Sequence, residues 1–273
     1  MIKITPLNKH WLFDPDKPSL EDYPTVMSDW PERKLESSLD DIGEYQRRLW
    51  ANGKRALLLV IHGLDASGKD SLIRTLATYM DPTGFHAWSF SRPAGDETRH
   101  DFLWRVVPFL PAFGEVVAFN RSHHEAVMAE RLWPVLDADR YDWPTRYGSI
   151  RSFERHLSDE GTTILKFWVH LSRDEHRKRL LKRLNKSRKV WKFHSSDIEA
   201  WRKRDTYLRY VEEAIGETST DCAPWLMIPG DDKKEARAMV AAVVAEQLKL
   251  MAPDYPTEDK AVLDEYRQLL KQD

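Results

Sequence analysis

Six apolar residues in a row, Ala56-Leu57-Leu58-Leu59-Val60-Ile61, run almost directly into Gly63-Leu64-Asp65-Ala66-Ser67-Gly68-Lys69-Asp70. A short, unbroken apolar run bounded by glycine reads as a strand covered on both faces, the pattern of a parallel sheet. The segment after it fits G-x-x-x-x-G-K, and helical spacing follows from Ser71 to Met80. Strand, glycine-bounded loop and helix in that order leave few architectures open, and they are α/β. Gly63 and Gly68 allow the backbone N–H groups around Ala66 and Ser67 to turn inward on a phosphate. The helix adds its positive N-terminal end, and Lys69 adds a mobile point charge. Position 70 departs from the usual motif, in which Ser or Thr holds Mg²⁺. Asp70 is instead an acidic first-turn residue. Metal must then be recruited elsewhere, and Asp65 inside the loop is the nearest carboxylate.

Further strands are predicted at His86 to Phe90, Glu115 to Phe119, Thr162 to Val169 and Trp225 to Ile228. Between them lie segments of helical periodicity at Glu97 to Val107, Glu125 to Trp133, Ile150 to Glu160, around 173 to 184 and 197 to 216, and Lys233 to Met251. Strands alternating with helices predict a five-stranded parallel sheet. With 41% hydrophobic residues, a 273-residue chain of this kind folds around one core with an excursion. The expected organisation is an N-terminal arm and helix over 1–50, in which Leu39, Ile42, Tyr45 and Leu49 recur at helical spacing. A core over 51–252 follows, with a lid at about 173–210, and then a tail helix over 253–273.

Several classes of protein are excluded by composition. A net charge of −2 is wrong for a chain that coats nucleic acid. No stretch approaches the roughly 18 apolar residues of a membrane span, and the start MIKITPLNKHWLFDPD lacks the pattern of a signal peptide, so cytoplasm is the expected location. Cys222 is the single cysteine; it has no partner for a disulfide or thiolate site and reads as a buried apolar thiol. Charge is nonetheless uneven. Arg173, Arg177, Lys178, Arg179, Lys182, Arg183, Lys186, Arg188, Lys189 and Lys192 meet only Asp174 and Glu175, a local cationic surface suited to a polyanion. The stretch 185–196 reads as the tip of a mobile hairpin.

A second anchor is Val116-Val117-Ala118-Phe119-Asn120-Arg121-Ser122, an apolar strand whose polar end falls at the carboxyl edge of the sheet, where ligands bind. Asn120 offers a neutral carbonyl oxygen to Mg²⁺, which then leans on Asp65, substrate phosphates and water. Arg121 would clamp phosphate oxygens bidentately. On residues alone, an Asn that caps the next turn and an Arg paired with a surface carboxylate stay open. His123 and His124, adjacent on an expected helix, should point to different sides and serve packing and capping. Trp104, Trp133, Trp168, Trp191 and Trp201 read as core and interface anchors.

Taken together, these runs resemble the second polyphosphate kinase family over roughly 35 to 250. Asp65-Ala66-Ser67-Gly68-Lys69-Asp70 is similar to its Walker A loop, including the acidic residue after lysine. Asp101-Phe102-Leu103-Trp104-Arg105, followed by Phe119-Asn120-Arg121-Ser122-His123, is similar to the subgroup with Asn rather than Asp in Walker B. Phe153-Glu154, Lys166-Phe167, Arg179, Arg183, Trp191-Lys192, Ala223-Pro224-Trp225 and Pro229 follow in the family's order. The resemblance implies a P-loop kinase-like three-layer sandwich, thymidylate-kinase-like, with a helical lid, assembled as a homo-oligomer (dimer or tetramer). It implies Mg²⁺-dependent phosphoryl transfer between inorganic polyphosphate and a nucleoside mono- or diphosphate (AMP/ADP or GDP), with no nucleic-acid or membrane partner.

In that reading Asp65 organises metal with Asn120, while Lys69 and Arg121 clamp phosphate. Arg179 and Arg183 close over the transferred group. Gly63, Ala66, Ser67, Gly68 and Asp70 cradle phosphate, and Arg105 and Arg131 line the polyphosphate track. Ser71, His124, Arg204, Val211 and Lys234 depart from the family pattern and bear on nucleotide preference and rate. Two rivals stay open: an ATP-dependent nucleotide kinase, and a polyphosphate-binding protein without turnover.

Overall fold

The computed structural model describes residues 9, 11–27, 35–190, 193, 195–251 and 254–271. Strands β1 (Ala56–Gly63), β2 (Phe85–Ser89), β3 (Val116–Asn120), β4 (Thr162–His170) and β5 (Trp225–Pro229) form one sheet in the order β2-β3-β1-β4-β5. Every pair is parallel, and the register sets Ile61 beside Asn120 and Gly63 beside Val169. The apolar run of β1 is buried because both faces are covered. Leu57, Leu59 and Ile61 pack with helices α1 (Leu35–Asn52), α2 (Lys69–Ala77) and α8 (Lys233–Met251). Leu58 and Val60 pack on the other face with α3 (Trp143–Asp159) and α7 (Arg204–Thr218). Three layers result, helix on sheet on helix.

The N-terminal arm does more than extend. Phe13 N–H donates to the Trp225 carbonyl (2.9 Å) and Met227 N–H donates to that of Trp11 (2.7 Å), so the arm pairs antiparallel with the free side of β5 and covers a sheet edge. A last helix, α9 (Lys260–Leu269), buries none of its residues.

The sequence-based expectations fail at two segments. Glu97 to Val107 forms a 3₁₀ turn (Gly95–Arg99) and further turns rather than a helix. The Asp101 carboxylate accepts from the N–H of Leu103 (2.9 Å) and Trp104 (3.2 Å), offering the backbone a turn in place of helical bonds. Glu125 to Trp133 is likewise no α-helix: a 3₁₀ turn spans His123–Ala126. Here the Ala126 carbonyl accepts from Arg146 Nη1 (2.9 Å), while Glu130 N–H reaches back five residues to Glu125. Tertiary partners have displaced the local ladder. Helix α3 begins earlier than expected, at Trp143, because Asp142 caps it through Thr145 and Pro144 fits its first turn.

The basic segment forms α4 (Arg173–Leu184), a single turn α5 (Ser187–Val190) and α6 (Ser195–Arg202), which breaks at Lys203 before α7. Its two arms are joined by Arg183–Asp197 (3.0 Å), by Arg173–Asp205, and by the edge of His176 against Trp201 (5.3 Å between centroids). Trp191 and Lys192 lie outside the described residues, and the side chains of Arg188 and Lys189 are not among those described.

Candidate active site

The loop after β1 turns on two left-handed residues. Gly68 has φ 112°, and Ala66, with φ 63°, adopts the left-handed region despite its side chain. At Gly63 a Cβ would sit 2.9 Å from both Ser67 Oγ and the Val169 carbonyl, so only glycine lets the loop lie against β4. Into this turn points Lys69, the first residue of α2. Its ammonium donates to the carbonyls of Gly63 (2.6 Å) and Leu64 (3.0 Å), with Ser67 Oγ at 3.5 Å. Burial and the nearby Arg121 guanidinium lower its pKa to about 8, which marks a charge held where water is scarce.

Arg121 follows β3 with φ 63°, and its N–H still bonds the Ile61 carbonyl (3.0 Å). The side chain therefore crosses to the loop, where Nη2 meets Asp65 Oδ1 at 2.7 Å. Burial alone would raise the Asp65 carboxyl, but Arg121, Lys69 and Arg183 outweigh it and hold the group below the usual range. Asn120 Nδ2 donates to Asp70 Oδ1 (3.0 Å). Asp70, expected against phosphate, thus orients Asn120. The Asn120 amide oxygen is buried and accepts no hydrogen bond among the described residues. An amide oxygen so left over and the ionised Asp65 carboxylate are both oxygens of the hard kind that Mg²⁺ takes.

The other expected arginines are placed differently. Arg179, expected as a mobile clamp, lies beneath the loop and is 5% exposed. It donates to the carbonyls of Ser67 (2.6 Å), Gly230 (2.7 Å) and Asp231 (2.8 Å) and to Glu175 Oε1 (2.7 Å). A guanidinium spent on backbone in this way props the loop and has little left for substrate. Arg183 is half-buried on α4, close enough to lower the Asp65 pKa. Arg105 donates to the Ser91 carbonyl (2.8 Å) and lies over Phe90. Arg131 is held by Tyr147 Oη (2.8 Å), Glu213 (2.6 Å) and the Tyr210 ring. Neither presents its charge as a track.

Sequence reasoning also missed a buried polar cluster. His123 and His124 do not diverge: their Nε2 atoms stand 3.3 and 2.8 Å from one oxygen of Glu154, a fully buried carboxylate on α3 that both rings turn to meet. The Lys166 ammonium holds the other Glu154 oxygen at 2.6 Å and also donates to the Thr218 carbonyl (2.7 Å). With an ammonium already neutralising that carboxylate, Lys166 and Glu154 form a structural ion pair lined by the two imidazoles. Glu125 and His62 were overlooked as well. They sit between this cluster and Arg121, and no periodicity marks them. Among the departures from the family pattern, Ser71 Oγ bonds the Gly68 carbonyl (2.8 Å) and Arg204 bonds that of Leu171 (2.9 Å). Val211 is core, and Lys234 is exposed.

Known proteins resemble this chain in sequence and in fold. The sequence model of a family described as Polyphosphate kinase 2 matches residues 26–256. An ADP-polyphosphate phosphotransferase of Rhodopseudomonas palustris is 36% identical, with 94% of this chain and 96% of that protein covered. An AMP/ADP-polyphosphate phosphotransferase of Meiothermus ruber is 42% identical, over 79% of this chain and 80% of that protein. The crystal structure of polyphosphate kinase 2 from Arthrobacter aurescens superposes with a TM-score of 0.89 at 30% identity, covering 99% of this chain and all of that one.

Proposed function

This chain belongs to the polyphosphate kinase 2 family, and we propose that it moves a phosphoryl group between inorganic polyphosphate and AMP or ADP, with Mg²⁺ held by Asp65 and Asn120. It is a polyphosphate:nucleotide phosphotransferase; adenine is favoured because the two relatives described above are named for adenine nucleotides. The observation that carries the reading is the convergence at one sheet edge of a lysine inside a phosphate loop with an arginine and two metal-type oxygens.

In the forward direction the terminal P–O–P bridge of polyphosphate breaks and a new one forms to a phosphate oxygen of the nucleotide. That oxygen is already anionic, so no general base is needed, and the protein's work is positioning and charge neutralisation. Bound metal would neutralise charge on the donor and acceptor phosphates. Lys69 exchanges the carbonyls of Gly63 and Leu64 for phosphate oxygens. Arg121 does the same with its Asp65-facing amine, and Arg183 reaches the same group from α4. Arg179 holds the Ser67 carbonyl, and through it the loop, whose Ser67 N–H closes a turn on the Leu64 carbonyl (3.1 Å).

The same reading carries the organisation expected from the sequence: a core over 51–252 with α4 to α6 as a lid that orders on polyphosphate, and a homo-oligomer in the cytoplasm. No described helix is long and apolar enough to cross a membrane. The test is a matrix of donors, polyphosphate or ATP, against AMP, ADP and GDP, with products resolved by nucleotide chromatography. Polyphosphate-dependent conversion of AMP or ADP that stops on chelation of Mg²⁺ is expected. Turnover with ATP alone as donor would overturn the substrate assignment.

A further inference from the structure

Arg121 is one of only two non-glycine residues with positive φ among the described residues, the other being Ala66 of the phosphate loop. Backbone of that kind is tolerated where surrounding contacts over-determine it, so the contacts of Arg121 are informative. Nη2 faces Asp65 at 2.7 Å, and Nη1 faces Glu125 Oε2 at 3.5 Å. The two carboxylates differ in kind. Asp65 is a third exposed and stands among the metal-type oxygens; Glu125 is buried at the start of the next turn.

What places Glu125 there is local. Ser122 caps the 3₁₀ turn by accepting from His124 N–H (3.2 Å), which brings residue 125 back under the guanidinium. Its second oxygen lies 3.3 Å from His62 Nδ1, and His62 Nε2 lies 2.9 Å from Ser122 Oγ. An ionised carboxylate can only accept, so Nδ1 carries the imidazole proton and Nε2 accepts from the Ser122 hydroxyl. Glu125 is thereby fixed from β1 as well as from its own turn.

We propose that Glu125 is a positioning residue for Arg121: it retains Nη1 so that Nη2 can pass from Asp65 to a substrate phosphate without the side chain losing its place. The inference rests on the phosphotransferase reading above. If Asp65 took up metal, its hold on the arginine would weaken, and a guanidinium loose at both ends would have to be ordered anew in each cycle. One fixed amine turns that search into a small rotation. Burial would raise the Glu125 carboxyl, but Arg121, His62 and Lys69 more than offset it, consistent with a permanently charged anchor.

The experiment is a double-mutant cycle on the full chain, Glu125→Gln, Arg121→Ala and the pair, read as kcat and KM for polyphosphate and ADP, with melting curves of each. Glu125→Gln is expected to lower kcat by on the order of 10- to 100-fold with both KM values within a few-fold, and to add less than about twofold once Arg121 is Ala. If Glu125→Gln does not fold, Glu125→Asp, which keeps the charge one methylene short, enters the same cycle, with a smaller loss that also vanishes in the Arg121→Ala background. An undiminished kcat, or an equal loss in both backgrounds, overturns the proposal and leaves Glu125 as a partner of His62 alone. A wild-type protein without polyphosphate-dependent turnover would instead overturn the reading it rests on.

Discussion

The loop edge of β1 and the outer face of α4 both carry dense positive charge, and they hold it in opposite ways. At the loop, Lys69 and Arg179 are 6% and 5% exposed, and their donors are already aimed at carbonyl oxygens. On α4, the side chains of Arg177 and Lys178 are 64% and 76% exposed and pair with Asp174 and Glu175 in the helix's own first turn. Buried cations act at close range in a low effective dielectric, whereas exposed ones are screened within roughly 8–10 Å at ordinary salt. On the proposed reading, Lys69 acts at close range on one phosphate while Arg179 holds the loop around it, and the exposed set suits the capture of a long polyanion.

That contrast is broken most directly at Lys69. Lys69→Ala should reduce turnover by about 10³-fold or more, because the transferring group loses its nearest cation. It should also lower the melting temperature, since two loop carbonyls lose a buried donor. Near-normal turnover in a folded variant would end the assignment of the loop.

Next in size is the pair of metal-type oxygens. Asp65→Asn should cost on the order of 100-fold in turnover, while Asn120→Asp should change it only a few-fold and lower the Mg²⁺ concentration needed, since it adds charge to an oxygen already in place. Magnesium titrations of the two variants decide this. Equal, mild effects would place the metal elsewhere.

Arg179 sharpens the contrast, because it belongs by sequence to α4 and by contact to the loop. Arg179→Lys keeps the charge but cannot reach three carbonyls at once. A melting temperature lower by about 5 °C and turnover lower by about tenfold are expected, with no change in salt sensitivity. A variant that melts normally yet loses salt-sensitive binding would return Arg179 to the lid.

Proton linkage separates the regions further. The Lys69 pKa stands near 8 without substrate, and phosphate would raise it, so binding takes up a proton above that pH. KM for polyphosphate should therefore climb by up to about tenfold per pH unit above 8 and stay flat below it. A flat profile from pH 7 to 10 would mean that Lys69 keeps its proton unaided.

The smallest effects belong to the outer face. Arg177→Ala and Lys182→Ala should each weaken polyphosphate binding by about two- to threefold at low salt and by nothing measurable at high salt, with ADP binding unchanged. Titrations at two ionic strengths test it, and equal losses for both ligands would make the face merely solvated.

How much of this could be read beforehand differs element by element. The strand, loop and helix at 56–77 were legible because a buried parallel strand, a glycine pair and a lysine leave a continuous local signature. Asn120 and Arg121 were placed correctly at the sheet edge by the same logic. Glu97 to Val107 and Glu125 to Trp133 have helical spacing but are not helices, because the Asp101 carboxylate and the Arg146 guanidinium take the backbone groups that a helix would use. Periodicity reports which side chains are apolar, and it is silent on which carbonyl a distant arginine will claim.

The sequence by itself therefore determined the five strands, their parallel sense and the phosphate loop, all of which follow from local patterns, whereas the strand order came from the packed fold. Only the tertiary structure decided what each charged residue does. Arg179 faces the loop rather than solvent, His123 and His124 share Glu154, and Glu125 meets Arg121 and His62. The reason is physical: the energy of a charge depends on its burial and on partners tens of residues away, and these exist only once the layers have packed.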